Sequence, residues 1–357
     1  MIDIRNRIRG SLLGGAIGDA LGYQIEFKRG IKEKEITRFN GKGIISDDTQ
    51  MTLFTANALI WRETRGNMRG IAMPPVDAIY LGYKDWLDTQ NNAKSENSIS
   101  WIKEIPELNI PRAPGNTCIS ALSSGIKGTI KEPINNSKGC GTVMRVAPVG
   151  LYIKDEIAAG KIAAEASAIT HGHPLGIIPS YVLASMLNLI VYKDLDILSA
   201  LKNSIDSLLN NYNIFNKSDT DCFIELMNKA IKLSSSNLPD QEAIYELGEG
   251  WVAEEALAIA IYSCLKYKNS FKDAVVCAIN HDGDSDSTGS IAGNIIGAFL
   301  GEELIPSYYL ENLELKDVII EIADDLATPI PVSEYSDNND EYWLSKYSYC
   351  HRDKSMK

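Results

Sequence analysis

The chain has 357 residues, 45% of them apolar and 23% charged, with a formal net charge of −12. Length and apolar share suffice for a large buried core, as one big domain or two, and the acidic balance argues against nucleic acid or an anionic membrane surface as the main partner. Six scattered cysteines (Cys118, Cys140, Cys222, Cys264, Cys277, Cys350) form no Cys-x-x-Cys pair. They read as small buried hydrophobes in a reducing cytosol, not as a disulfide framework. The start of the chain carries no signal-peptide pattern, and no stretch reads as a membrane span of ~18 apolar residues, so a cytoplasmic location is expected.

Taken in chain order, Ile4, Ile8, Leu12, Ala16 and Ala20 recur every four residues beside Leu13, Ile17 and Leu21, which predicts a largely buried helix. Gly10, Gly14 and Gly18 make a smooth stripe along it, where another helix could approach closely. A phosphate-cradling glycine loop is disfavoured, because no strand precedes the stripe and no Lys-Ser/Thr follows it. Asp19 and Glu26 are acidic groups in apolar surroundings, which suggests partial burial. Ser46-Asp47-Asp48-Thr49-Gln50 then precedes an apolar helical run of Met51, Leu53, Phe54, Ala58 and Leu59. Adjacent carboxylates at a helix start diverge by about 100°, so both can reach one cluster of ions. Taken alone, the same stretch is more often a helix cap.

A helix is predicted over 76–87. The polar stretch 88–98 and the three prolines of 101–114 then mark 88–114 as a surface insertion or lid. Asn116-Thr117 caps a short helix. The loop Asn135-Asn136-Ser137-Lys138-Gly139-Cys140-Gly141-Thr142 has glycine enough for backbone N–H groups to face an anion, although a plain connector is the commoner reading. An Ala-rich helix over 158–169 ends at Thr170-His171-Gly172-His173-Pro174, where His171 reads equally well as a substrate contact or a satisfied core histidine. Helices follow over 177–191, 196–209, 221–233, 253–267 and 315–326. Trp251, at the elbow before one of them, is expected in the core more than as an adenine platform.

Asn280-His281-Asp282-Gly283-Asp284-Ser285-Asp286-Ser287 opens the apolar small-residue run 290–300. Three alternating aspartates offer hard oxygen donors suited to Mg²⁺, Mn²⁺ or Ca²⁺ and not to zinc. An EF-hand fails on detail, since Ser287 stands where its loop needs Gly and Gly293 where it needs Glu. A helix cap would need one aspartate; three crowded together repel one another unless a cation neutralises them. With Asp47 and Asp48, this gives two acidic helix starts more than two hundred residues apart, read as two halves of one site. Beyond Pro329 the chain is polar, acidic and aromatic (Tyr335, Tyr342, Trp343, Tyr347, Tyr349), a segment that either folds back on the body or binds a partner. With no sustained period-two alternation, the expectation is an all-α, single compact multi-helix domain over 1–330, followed by a polar aromatic tail over 331–357.

Gly10-Ser-Leu-Leu-Gly-Gly-Ala-Ile-Gly-Asp-Ala-Leu-Gly22 with Glu26-Phe27 resembles the opening of the ADP-ribosylglycohydrolase family. So do Ser46-Asp47-Asp48-Thr49, Gly139 to Pro148, Thr170-His171, Gly250 to Leu257 and Gly283-Asp284-Ser285-Asp286-Ser287, which run in the family's order over roughly residues 8–301. The resemblance implies an all-helical fold with a binuclear Mg²⁺ or Mn²⁺ centre in a cleft that takes ADP-ribose. It carries the metal ligands to Ser46, Asp47, Asp48, Asp284, Asp286 and Ser287, where Ser46 and Ser287 stand in place of a frequent Thr. It ties Glu26 to catalysis, and the chemistry of the cleavage makes Glu26 or Asp48 the carboxyl that shuttles the proton. Substrate contacts fall on His171 and the loop Asn136, Ser137, Lys138, Gly139, Cys140 and Gly141, in which Cys140 replaces the Asn of a common Gly-Asn-Gly.

The implied reaction cuts the bond from C1 of the distal ribose to a modified protein side chain. Arginine is the first choice, with serine, a nitrogenase-related reductase and O-acetyl-ADP-ribose as alternatives. The implied partner is an ADP-ribosylated protein. A protein that binds and neutralises an ADP-ribosylating toxin, and a metal-dependent hydrolase of another nucleotide-sugar bond, are the competing readings.

Overall fold

The computed structural model describes residues 2–27, 35–93 and 97–350. Its organising pair is α1 (Ile4–Gly22) and α13 (Ser285–Leu300), which run antiparallel at very close range. The glycine stripe finds its partner in a second one: Gly10 lies against Gly297, Gly14 against Gly293 and Gly18 against Gly289. With no side chains between them the backbones touch, and a Cβ at Gly18 would lie 1.9 Å from the Gly289 carbonyl oxygen. Gly18→Ala is therefore expected to destabilise the protein by about 3 kcal/mol or more through forced separation of the helices. Wild-type stability in denaturant unfolding would mean that the two helices do not meet there. The antiparallel register has a consequence for chemistry, because it sets the end of α1 beside the start of α13.

The remaining helices wrap this pair. α2 (Asp47–Arg69) carries α3 (Pro75–Gln90), followed by α4 (Asn116–Ser123), α5 (Ala147–Tyr152) and α6 (Glu156–Ala168). α7 (Pro174–Lys193) is the central core helix, surrounded by α5, α6, α8 (Ile197–Asn211), α9 (Lys217–Ser234) and α11 (Ala253–Lys266). It is long and apolar enough to cross a bilayer, where no such stretch is expected from the sequence. In the fold nearly all of it is buried, as expected of a helix apolar on every side. α10 (Asp240–Leu247), α12 (Phe271–Ile279), α14 (Ser307–Leu310), α15 (Lys316–Ala327) and α16 (Glu341–Tyr347) complete the order. The described residues contain no strand, only isolated bridges at Gly43–Leu313 and Gly139–Val252. The all-α single-domain architecture agrees with the sequence.

One region differs from expectation. The stretch 88–114 is not a loose surface insertion, because Trp101, Ile102 and Leu108 are fully buried. Asn57 Nδ2 donates to the Ile99 carbonyl at 3.0 Å and Gln50 Nε2 to that of Ile110 at 2.9 Å, pinning the segment along α2. Arg112 pairs with Glu314 in the interior and donates to the Ile45 carbonyl at 3.0 Å. The 331–357 tail, left open between folding back on the body and binding a partner, folds back where it is described. Trp343, Leu344 and Tyr347 are buried, and Trp343 Nε1 donates to Thr64 Oγ1 at 2.8 Å. Lys346 is buried too, paired with Glu321 and Asp325 of α15 and ringed by Trp101, Tyr342, Trp343 and Tyr347. Residues 351–357 lie outside the described residues.

Candidate active site

Three chain segments converge where α1 ends. Asp19, in the last turn of α1, is fully buried and accepts from the Ser46 amide at 3.0 Å, the Thr49 amide at 3.1 Å and the Thr49 hydroxyl. It caps α2 from outside, satisfying amides that a helix start leaves orphaned. Burial raises its carboxyl to about 6 against these lowering hydrogen bonds. Its role is orientation of the Asp47-Asp48 pair, which the sequence did not disclose beyond an acid on an apolar helix. Asp19→Ala leaves two buried amides without an acceptor, each costing about 1–3 kcal/mol. A drop of that order in unfolding free energy is expected, with Asp19→Asn milder; a change near zero would remove Asp19 from this role.

Ser46 is the cap residue itself, its Oγ accepting from the Asp48 amide at 3.2 Å. Asp47 is held by the Gly115 amide at 3.2 Å, and its own amide donates to the Arg112 carbonyl at 3.1 Å. On the other side Asp284 caps α13, accepting from the Ser287 amide at 3.2 Å, while Asp286 accepts from the same amide at 3.0 Å. The cap reading is therefore met at Asp284. His281 shapes the approach, with Nδ1 accepting from the Gly283 amide at 3.1 Å and Nε2 facing Thr288 Oγ1 at 2.8 Å. Asp282, the third aspartate of the run, is exposed.

Carboxylate oxygens of Glu26, Asp284 and Asp286 lie within 4.8 Å of one another. Asp47, Asp48, Asp284 and Asp286 are each 2–4% exposed. Burial first, then the charges of Asp284 and Asp47, push Glu26 up to about 8. Asp47 is raised to about 8, by burial first and then, against the lowering Gly115 amide, by Asp19 and Asp284. Asp48 and Asp286 are held well above the usual carboxylate range, by burial first and next by other acids of the cluster. The two acidic helix starts thus act on one another electrostatically, as half-sites must. Asp48 Oδ2 and Glu26 Oε2 have no hydrogen-bond partner. Unpartnered buried oxygens among mutually repelling carboxylates fit divalent cations with hard-donor preference. Both helix N-termini also point their positive ends at the cluster.

The loop 136–141 lies beside these acids. Its Ser137, Gly139 and Cys140 amides are already engaged, by Asn135 Oδ1 at 3.0 Å, Ser137 Oγ at 3.3 Å and the Trp251 carbonyl at 3.2 Å. The anion-facing amides expected from the sequence narrow to those of Asn136, Lys138 and Gly141. Lys138 pairs with buried Glu254 at the start of α11. His171 is 1% exposed and packs under the loop, a Cβ at Gly139 falling 3.3 Å from its Nε2. Burial, then Arg145, drive it down to about 3, so the imidazole is neutral. Its Nδ1 is 2.8 Å from Thr170 Oγ1, which Arg145 holds at 2.7 Å. Arg145 is itself fully buried and lies over the Tyr83 ring at 4.1 Å. Trp251 is 38% exposed next to the loop and not in the core.

The ADP-ribosylglycohydrolase family model matches residues 1–335. The chain is 26% identical to the ADP-ribosylhydrolase ARH3 of Gallus gallus over 340 residues, covering 86% of this chain and 89% of the relative. It is 25% identical over 331 residues to the ADP-ribosyl-dinitrogen reductase glycohydrolase of Rhodospirillum rubrum (88% and 92% covered). With the ADP-ribosylarginine hydrolase Tri1 of Pseudomonas putida it shares 24% over 335 residues (91% and 79% covered). A solved chain from an ADP-ribosylglycohydrolase-related protein complex superposes with a TM-score of 0.64 at 21% identity, covering 91% of this chain and 98% of that one, and has the same fold. The matched span takes in both acidic helix starts and the loop between them, and on that match the chain belongs to the ADP-ribosylglycohydrolase family.

Proposed function

We propose that the protein hydrolyses the bond between C1 of the distal ribose of ADP-ribose and an arginine side chain of a modified protein. The observation that carries this reading is the buried meeting of Glu26, Asp284 and Asp286 next to the unpartnered oxygen of Asp48. Ser46, Asp47, Asp48, Asp284, Asp286 and Ser287 would hold two Mg²⁺ or Mn²⁺ ions. When bound, such ions fix ribose hydroxyls and lower the pKa of water.

The protein's own groups supply the rest. Cleavage passes through a cation-like ribose, which buried carboxylates stabilise. The leaving nitrogen needs a proton, and the attacking water must lose one. Glu26 and Asp48 each keep a buried oxygen with no hydrogen-bond partner, which leaves them free for that exchange. Asp19 keeps Asp48 aimed, and neutral His171 supports the loop against which the diphosphate and distal ribose would lie. Arginine is favoured by the acidic lining, which suits a guanidinium group, and by the relative named an ADP-ribosylarginine hydrolase. The six free cysteines agree with action in a reducing cytosol.

The test is direct. Purified protein with Mg²⁺ or Mn²⁺ is given peptides carrying ADP-ribose on arginine or serine, and O-acetyl-ADP-ribose, and free ADP-ribose is measured. Fastest release from arginine is expected. Faster release from either other substrate overturns the linkage; none from any of the three overturns the reaction.

A further inference from the structure

Arg145 is a cation held in the interior without a carboxylate. It is fully buried, it forms no salt bridge among the described residues, and its Nε has no hydrogen-bond partner. Two sulfurs and one hydroxyl receive its other N–H groups: Cys118 Sγ at 3.4 Å, Met51 Sδ at 3.5 Å and Thr170 Oγ1 at 2.7 Å. The Tyr83 ring, 4.1 Å away, offsets part of the charge. Burying a guanidinium on such terms is costly, so a purely structural role would be better filled by an apolar side chain. Of the three bonds, only the one to Thr170 leads on towards the site.

Counting protons along that chain fixes the next bond. A guanidinium can only donate, so Thr170 Oγ1 accepts from it. The hydroxyl is left with its own proton to give, and His171 Nδ1 stands 2.8 Å away. The Cys118 sulfur, also near the hydroxyl, is a weak acceptor already engaged by Arg145. Nδ1 is therefore the accepting nitrogen of the ring. Burial and the charge of Arg145 keep the imidazole neutral, so its one proton sits on Nε2. That atom lies under the loop 136–141, where a Cβ at Gly139 would fall 3.3 Å from it and one at Gly141 3.7 Å. Cys140, between the two glycines, turns the other way and donates to Asp284 Oδ2 at 2.8 Å. Among the described residues no hydrogen bond reaches Nε2, although the side chain is only 1% exposed.

We infer that Arg145 and Thr170 are positioning residues that lock His171 in the Nε2–H tautomer, so that it meets ADP-ribose as a hydrogen-bond donor to one of its oxygens and not as a base. The inference rests on the function proposed above and adds to it the residues that aim this donor. The opposite tautomer would turn a lone pair towards an oxygen-rich ligand. It would also give Thr170 Oγ1 two donors and leave the hydroxyl proton without a strong acceptor. A buried donor with no partner in the free protein gains its bond when an anionic ligand arrives, which favours that ligand over water.

Nitrogen-15 labelling of the histidines in the full chain reads the tautomer without turnover, because a protonated ring nitrogen and a bare one resonate far apart. His171→Gln identifies the signals among the four histidines. At neutral pH the wild type is expected to show the Nε2–H form alone, and Thr170→Ser to keep it. Thr170→Val and Arg145→Met should show a mixture; if Arg145→Met does not fold, Thr170→Val decides. Calorimetry with ADP-ribose and Mg²⁺ should show affinity lowered about tenfold or more in Thr170→Val and retained in Thr170→Ser, as for one lost hydrogen bond to a charged ligand. An Nδ1–H or charged His171 in the wild type, or an unmixed tautomer with wild-type affinity in Thr170→Val, overturns the relay. A wild type that holds the Nε2–H form but binds no ADP-ribose overturns the proposed function and the donor role with it, while the tautomer lock stands.

Discussion

Asp286→Ala is expected to reduce ADP-ribose release by roughly a thousandfold or more and, in cation-free protein, to raise the melting temperature instead of lowering it. The first effect follows from position, because Asp286 shares a 4.8 Å cluster with Glu26 and Asp284. The second follows from electrostatics. Its carboxyl is raised by burial first and then by Asp48, Asp284 and Glu26, so its charged form opposes folding. The substitution removes that opposition at little structural loss, since Asp284 still accepts the Ser287 amide and α13 keeps its cap. Asp284→Ala should be equally inactive but less stable, because it removes the cap, worth about 1 kcal/mol. Release assays with thermal melts in a chelator check both. Wild-type turnover, or an Asp286→Ala melt well below wild type, would remove Asp286 from the site.

The stability of the cation-free protein should fall as pH rises from about 4 to about 8. Glu26 moves from an ordinary 4.5 to about 8 and Asp47 from 3.8 to about 8. Across that window the folded chain retains protons that the unfolded chain has released. Stability is therefore full below the unfolded values and is lost as pH climbs through the folded ones. Asp19, raised to about 6, adds to the same slope. Mg²⁺ or Mn²⁺ should reverse the trend, because a cation bound only by the folded state stabilises it by about 2.7 kcal/mol at a hundredfold excess over Kd. The gain should be large at pH 8 and small at pH 5, where protons occupy the same oxygens. Melts across this range with chelator and with Mn²⁺ decide it; a flat pH profile with no cation effect at pH 8 would refute the buried cluster.

Much of this architecture was legible before any coordinates. Four-residue spacing of Ile4, Ile8, Leu12 and Ala16 identified α1, and the glycine stripe announced a close neighbour without naming it. The acidic starts of α2 and α13 stood out because three carboxylates exceed what a cap requires. Average composition points to a surface insertion over 88–114 and leaves the segment beyond 330 open. There, sparse anchors outweigh many polar residues: Trp101 and Leu108 in one segment, Trp343 and Tyr347 in the other. Lys346 could not have been placed, since its burial depends on Asp325 and Glu321, which only folding brings to it.

Spacing along the chain was thus sufficient for the helices, the apolar faces and the carboxylate pairs, all of which are local properties. Folding alone set which half-sites meet, that Asp19 orients α2, that 137, 139 and 140 spend their amides internally, and that Cys140 faces Asp284. The physical reason is that helix register and burial depend on contacts between residues far apart in the chain, as when the backbones of Gly18 and Gly289 touch and thereby carry Glu26 to Asp284.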